Sequence, residues 1–135
     1  MGFKFGRRSK RILKELHPDL QFLLKEAIKV YDFTILEGWR SKERQQFLVE
    51  SGKSKLRWPR SKHNTKNNKP GRVIAVDIAP YPIDWADRDR FILLYGIIEG
   101  IASYNNIKIR WGGAWKGLSH MGSNDFNDLP HIELV

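Results

Sequence analysis

Residues 72–79, RVIAVDIA, have the composition of a buried central β-strand with one ionisable residue, Asp77, inside it. Valine and isoleucine are enriched in strands because their branched side chains pack well on a pleated, half-buried surface. Burying an unpaired carboxylate costs several kcal/mol, so Asp77 requires a metal ion, an arginine or a hydrogen-bond network beside it. This strand therefore predicts both the centre of a sheet and a position of polar chemistry.

The N-terminal half predicts helices on either side of a short strand. Apolar residues recur at three- and four-residue spacings over residues 9–31, as on one face of a helix. Pro18 fits best as the first residue of a new helix, so we expect two consecutive helices. Residues 33–36 form a β-prone run, after which Ser41 caps a further helix that ends at Gly52.

The C-terminal half predicts a long helix and two more strands. We expect the helix over residues 85–104, a short strand over 107–111 and a final strand near 131–135. The most apolar segment, residues 91–102, is far shorter than the ~20 residues of a membrane span and predicts a buried helix. The fold class is therefore α+β, with helices packed on a small antiparallel sheet.

Composition limits the classes of site that the chain can carry. Its 135 residues suit one domain, and a hydrophobic content of 41% is sufficient for a core. The absence of cysteine excludes disulfides, thiolate metal sites and a cysteine nucleophile, so any metal must be held by histidine and carboxylate. The net charge of +9 suggests an anionic partner such as nucleic acid, an acidic envelope or an anionic polymer.

Three polar features are candidates for one functional site: residues 61–63, SKH; the carboxylate of Asp77; and residues 128–133, DLPHIE. A loop histidine on its own is more often solvated than bound to a metal. Two imidazoles and one carboxylate, however, would leave one of the four tetrahedral positions of zinc for water. A carboxylate close to that water would serve as general base, and Asp128, three residues before His131, is the candidate.

Four ordered blocks of sequence resemble the family of zinc D,D-peptidases and L-alanyl-D-glutamate peptidases, which includes VanY-like carboxypeptidases and phage endolysins. The resemblance covers nearly the whole chain and implies the zinc peptidase fold of the hedgehog and D,D-peptidase type. The blocks are LKELHPDL at 13–20, EGWRSKERQQFLVESGKSK at 37–55, SKH at 61–63 with AVDIAPY at 75–81, and RWGGAW at 110–115 with DLPHIEL at 128–134.

The resemblance implies a role for each residue that matches a family motif. His63, Asp77 and His131 would hold one catalytic zinc ion, and Asp128 would be the general base. Arg40 would bind the substrate and stabilise the oxyanion, a role suited to a permanent cation, although it could also be a surface arginine at a helix start.

Residues around these positions are assigned from their place in the sequence. We expect Tyr81, Trp111 and Trp115 to line a groove for the substrate peptide, with core packing as the alternative for Trp111. We expect Glu133 to orient the zinc ligand His131, since alternate residues of a strand share a face, and the loop residue Ser61 to hydrogen-bond a zinc ligand. A solvated serine and a glutamate at an exposed strand end are the alternatives.

The chain departs from the family pattern at two places. The step of 14 residues from His63 to Asp77 (77 − 63) is longer than in the compact family form, and the loop at 64–71 absorbs the difference. Ala114 stands where the family block usually has an aspartate. His120, in the glycine-rich loop, remains an alternative ligand or transition-state donor.

The resemblance implies an endolysin that cleaves the L-alanyl-D-glutamate bond of peptidoglycan stem peptides during host lysis. We expect one catalytic domain over residues 1–135, without a separate cell-wall-binding domain, and a monomer. No secretory signal is visible, so the protein would stay in the host cytoplasm until lysis and then reach the periplasm and cell wall. We expect neither stable membrane insertion nor a nucleic-acid partner.

Three alternative functions remain open. A D-Ala-D-Ala carboxypeptidase or dipeptidase would use the same chemistry on a terminal bond. A catalytically silent wall-binding domain would keep the fold without turnover. A nucleic-acid-binding module would need no metal, and its affinity would fall steeply with salt.

Overall fold

The computed structural model describes residues 2–114 and 128–135, which form four helices around one four-stranded sheet. The sheet is antiparallel throughout, and its strand order is β1-β2-β4-β3. This arrangement confirms the predicted α+β class. The elements are α1 (Arg7–Leu13), α2 (Pro18–Ala27), β1 (Phe33–Glu37), α3 (Lys42–Glu50), β2 (Ala75–Pro80), α4 (Arg88–Tyr104), β3 (Ile109–Trp111), a 3-10 turn (Gly112–Ala114) and β4 (His131–Leu134).

The starts of α2 and α3 are fixed by local capping, at the positions that the sequence predicts. Pro18 is the first residue of α2, and the ring of His17 accepts a hydrogen bond from the backbone N–H of Asp19 at 3.0 Å. The Ser41 hydroxyl accepts a hydrogen bond from the backbone N–H of Arg44 at 3.1 Å, which caps α3. Each cap satisfies a donor that the helix itself leaves unpaired.

Some boundaries differ from those expected. The helix α4 begins at Arg88 rather than near residue 85, because the side chain of Asp87 caps it. The strand β2 begins at Ala75, three residues after the start of the apolar run. His63 lies in a turn between α3 and β2, so the long loop at 64–71 joins a turn to a strand.

The sheet separates the hydrophobic core from a polar face. Because strand residues alternate between faces, Val76 and Ile78 of β2 and Ile132 of β4 point into the core, where Leu94 and Ile98 of α4 are also buried. Burial of each such side chain contributes about 1.5–3 kcal/mol. No helix within the described residues has the length and hydropathy needed to span a membrane. The opposite face of the sheet is left for polar side chains.

Candidate metal centre

A row of three polar residues crosses the sheet on its polar face. Asp77 of β2 pairs with His131 of β4 on one side and with Glu37 of β1 on the other. Residues directly opposite on antiparallel strands point to the same face. A register shift between Ile35 and Glu37 puts the glutamate, rather than Leu36, opposite Asp77. Strand pairing therefore brings two carboxylates and an imidazole together.

His63 completes a triangle of ligand atoms with Asp77 and His131. Its Nε2 lies 3.2 Å from His131 Nδ1 and 3.4 Å from Asp77 Oδ1, and the last two atoms are 3.4 Å apart. Zinc binds such atoms at about 2.0–2.1 Å in a tetrahedron, which separates any two ligands by about 3.3 Å. The spacing of the three atoms therefore fits a mononuclear zinc site.

Each imidazole is oriented by a second hydrogen bond. His63 Nδ1 lies 2.8 Å from the carbonyl oxygen of Gly38, which can only accept, so Nδ1 is the donor and Nε2 presents its lone pair. His131 Nε2 lies 2.8 Å from Glu133 Oε1 and directs Nδ1 toward the centre of the triangle. Metal-bound histidines are typically held in this way by a carbonyl or a carboxylate.

The buried carboxylate of Asp77 requires a cation. Its Oδ1 has no hydrogen-bond partner among the described residues, although it is enclosed. An arginine was the alternative partner, and Arg40 Nη2 lies 3.8 Å from the other oxygen, Oδ2, rather than from Oδ1. Burial alone would raise the pKa of Asp77, but the imidazoles of His131 and His63 outweigh burial and hold that pKa well below its ordinary value.

The charges around His131 also favour a cation at this position. Burial lowers the pKa of His131, but the neighbouring carboxylates of Asp77 and Glu133 outweigh burial and raise the pKa to about 9. Burial would likewise raise the pKa of Glu133, but the hydrogen bond with His131, aided by the charges of Arg110 and Lys62, lowers it. The triangle therefore stabilises positive charge.

Arg40 is held beside the triangle by three side chains. Its Nε donates to Glu37 Oε1, and its Nη1 donates to Gln45 Oε1 at 3.1 Å and to Ser61 Oγ at 3.5 Å. The backbone N–H of Arg40 also donates to the carbonyl of His63 at 2.9 Å. These bonds fix the guanidinium on the same side of the sheet as Asp77.

Gln45 connects this arginine to the loop that carries His63, and sequence reasoning missed it. Its side chain is 0% exposed, and its amide nitrogen donates to Ser54 Oγ at 3.0 Å and to the carbonyl of Leu56. Its amide oxygen also accepts from Asn64 Nδ2 at 3.3 Å. The sequence does hold one indication of its burial, because Gln45 stands three positions before Leu48 and so shares the buried face of α3.

Asp128 is placed beside the triangle by backbone contacts. Its N–H donates to the carbonyl of Gly112 at 3.0 Å, and its own carbonyl accepts from the N–H of His131 at 3.1 Å. A Cβ on Gly112 would lie 2.0 Å from the Asp128 carbonyl oxygen, so only glycine fits there. Burial, followed by the charge of Asp77, raises the pKa of the Asp128 carboxyl.

The candidate site opens into a cleft of about 750 Å³. The cleft is lined by residues of every predicted role, namely the metal ligands, the general base, the substrate-binding arginine and the residues that orient a ligand. Ser61 is buried, and its hydroxyl accepts a hydrogen bond from the backbone N–H of His63 at 3.2 Å rather than from the ring. The predicted residues that line this cleft are Arg40, Ser61, His63, Asp77, Asp128, His131 and Glu133.

Neither of the two predicted groove aromatics that the structure describes, Tyr81 and Trp111, lines the cleft. Trp111 is 2% exposed, stacks on Tyr95 with ring centroids 4.9 Å apart and donates its N–H to the carbonyl of Leu129. It therefore packs in the core, which was the alternative reading, and its ring is not available to a substrate. Tyr81 is 60% exposed and follows the end of β2 away from Asp77, outside the cleft lining. Trp115 and His120 lie outside the described residues.

Glu133→Gln is expected to weaken zinc binding by about 10- to 100-fold, because the amide cannot accept from His131 Nε2 with the strength of a carboxylate. Competition with a chromophoric chelator measures this affinity. Glu43→Gln, an exposed change in the first turn of α3, is the matched control. Equal affinity for zinc in Glu133→Gln and the wild type would refute an orienting role for Glu133.

Comparisons with known proteins agree in the activity that they name. The family of phage L-alanyl-D-glutamate peptidases matches residues 1–135. The L-alanyl-D-glutamate peptidase of Escherichia phage T5 is 34% identical over 149 aligned positions that span all of both chains. The crystal structure of the Serratia marcescens L-Ala D-Glu endopeptidase ChiX superposes with a TM-score of 0.75 and 28% identity, covering 98% of this chain and 90% of that one.

Proposed function

Since the chain belongs to the phage L-alanyl-D-glutamate peptidase family, we propose that it is a zinc-dependent peptidoglycan hydrolase that cleaves the L-alanyl-D-glutamate bond of stem peptides. The family membership confirms the resemblance that the four sequence blocks predicted. The observation that carries the zinc-dependent chemistry is the triangle of His63 Nε2, Asp77 Oδ1 and His131 Nδ1, with edges of 3.2–3.4 Å.

Zinc is the metal that this donor set suits. His63, Asp77 and His131 would hold it, and three protein ligands with one open position are typical of catalytic rather than structural zinc. When bound, the metal supplies Lewis acidity, which favours a nucleophilic water at neutral pH and polarises the substrate carbonyl. The chain's own groups must then move protons and stabilise charge.

Asp128 is the proposed general base and acid. It lines the cleft beside His131, and burial with the charge of Asp77 raises its pKa. A pKa raised toward the working pH makes the carboxylate a stronger base and leaves more of the protonated acid available for the second step. Asp128 would take a proton from the attacking water and deliver it to the departing amine of D-glutamate.

Arg40 is the proposed donor to the developing oxyanion. Glu37 and Gln45 fix its guanidinium, so little side-chain freedom is lost when the substrate carbonyl arrives. Donors that are held in place before charge develops give the largest stabilisation of an oxyanion. Because arginine stays protonated throughout, it contributes charge without exchanging a proton.

We place this activity at the cell wall of a phage host, as an endolysin that remains in the cytoplasm until lysis. The family's phage origin supports this assignment, and the net charge of +9 suits an anionic envelope. We also propose residues 1–135 as one catalytic domain. The alternatives of a nucleic-acid-binding module and of a D-Ala-D-Ala carboxypeptidase have no specific support in the site.

Digestion of purified peptidoglycan by the zinc-loaded protein tests the bond specificity. Mass spectrometry of the digest should find new amino termini on D-glutamate. Release of D-alanine alone would move the assignment to a carboxypeptidase. No cleavage of walls from several sources, with zinc bound, would favour a silent wall-binding domain.

A further inference from the structure

One wall of the cleft carries three cations that the proposed chemistry does not use. Lys53, Arg60 and Lys62 all line the cleft and are exposed. Within residues 2–114 and 128–135, none of the three has a carboxylate within 4.0 Å, whereas Arg40 and Arg44 both pair with Glu37. We call these three residues the basic wall.

The cleft offers the basic wall few internal counter-charges. Four acids among residues 2–114 and 128–135 line the same cleft, and three of them already have partners. Glu37 pairs with arginine, Asp77 lies against two imidazoles, and Glu133 bonds His131. A bound divalent cation would make the cleft still more positive. The basic wall is therefore suited to an anionic group brought in by the substrate.

The basic wall lies close to the metal centre. Lys62 directly precedes His63 in the chain, and Arg60 directly precedes the buried Ser61. The chain folds back here, because the N–H of Asn64 donates to the carbonyl of Ser61 at 3.0 Å. Arg60 and Lys62 therefore line the same cleft as the three proposed zinc ligands.

The chemistry of the scissile bond supplies such a group. A glutamate residue whose amine forms the cleaved amide still has two carboxyl groups. The peptide can continue through only one of them, so the other lies outside the chain and, when it is not amidated, is a free carboxylate. That carboxylate is attached to the same residue as the departing nitrogen. A substrate of the proposed reaction thus carries an anion close to the scissile bond wherever this carboxyl group is unmodified.

We propose that Lys53, Arg60 and Lys62 form a binding subsite for the free carboxylate of the glutamate on the leaving-group side of the scissile bond. This inference rests on the proposed function and names the part of the substrate that sets specificity. The three residues bind and position the substrate, and they take no part in proton transfer. A peptide whose free carboxylate is converted to an amide should be a poor substrate.

Two synthetic peptides that differ only in this group test the proposal. One carries the free carboxylate of D-glutamate after L-alanine, and the other carries the corresponding carboxamide. The zinc-loaded wild type should cleave the carboxylate peptide with a kcat/KM about 10- to 100-fold higher, as expected for loss of hydrogen bonds to a charged group. Equal kcat/KM values would overturn the subsite.

Charge-neutral variants assign the preference to the basic wall. The triple variant Lys53→Met, Arg60→Met and Lys62→Met should bring the ratio of the two kcat/KM values to within about twofold of unity. The matched control is Lys55→Met, which removes the same charge from the same segment but does not line the cleft, and which should retain the wild-type ratio.

The possible results distinguish an error in the proposed subsite from an error in the proposed peptidase reaction. Retention of the preference by the triple variant, with its fold verified by thermal unfolding, would overturn the assignment to these residues. Cleavage of neither peptide by the zinc-loaded wild type would contradict the proposed function and the subsite together. Equal loss of preference in Lys55→Met would reduce the effect to overall charge and overturn the subsite.

Discussion

Asp128→Ala is expected to lose peptidase activity by about 10²- to 10⁴-fold while it still binds zinc, the range typical of removing a general acid or base. Asp128 is partly buried beside His131, and this burial, with the charge of Asp77, raises its pKa. The three proposed ligand atoms belong to other residues, so the metal site should survive the substitution. The variant therefore separates proton transfer from metal binding.

Two measurements on the same preparation test this prediction. The kcat for a defined stem peptide should fall, and zinc content by atomic emission should stay near that of the wild type. Asp128→Asn keeps the side-chain volume and should lose as much activity. Asp89→Asn, an exposed change at the start of α4, is the control. Wild-type turnover in Asp128→Ala would eliminate Asp128 as the base.

Asp77→Asn is expected to abolish both tight zinc binding and zinc-dependent stabilisation. The substitution keeps the volume of the buried side chain but removes the anionic member of the triangle. A ligand at a hundredfold excess over its dissociation constant stabilises the folded state by about 2.7 kcal/mol. The wild type should show this increase in the free energy of unfolding on zinc addition, and Asp77→Asn should not.

Urea unfolding with and without zinc measures that difference. The variant should remain folded without metal, because Arg40 keeps its bond to Glu37. Asp84→Asn, an exposed change that follows β2, should retain the full response to zinc. An unchanged zinc response in Asp77→Asn would show that the metal binds elsewhere.

Much of the fold could be predicted because its signals are local. Pro18 and Ser41 act within one turn of their own helices, so their capping roles are visible in the sequence. The strand around Asp77 is visible because an ionisable residue stands within a β-branched run. The sequence alone does not decide which cation lies beside Asp77, since a metal ion and an arginine such as Arg40 both suit a buried carboxylate.

The remaining features depend on contacts between distant segments. The register shift between Ile35 and Glu37 places Glu37 opposite Asp77. It arises from the pairing of β1 with β2, and the sequence of β1 contains no turn residue that would indicate it. Gln45 gains its importance from Ser54, Leu56 and Asn64, which come from a loop without regular structure. The sequence leaves Trp111 open between a groove and the core, because an aromatic residue beside a glycine pair suits both, and the structure places it in the core.

The measurement that tests the central claim most directly is a zinc titration of the metal-depleted protein, with cleavage of an L-alanyl-D-glutamate peptide as the readout. The proposed site predicts almost no cleavage before addition, a linear rise, and a plateau at one zinc ion per chain. His63→Ala and His131→Ala should show no rise at the same zinc concentrations. Full cleavage by the metal-depleted wild type would contradict a catalytic metal held by His63, Asp77 and His131.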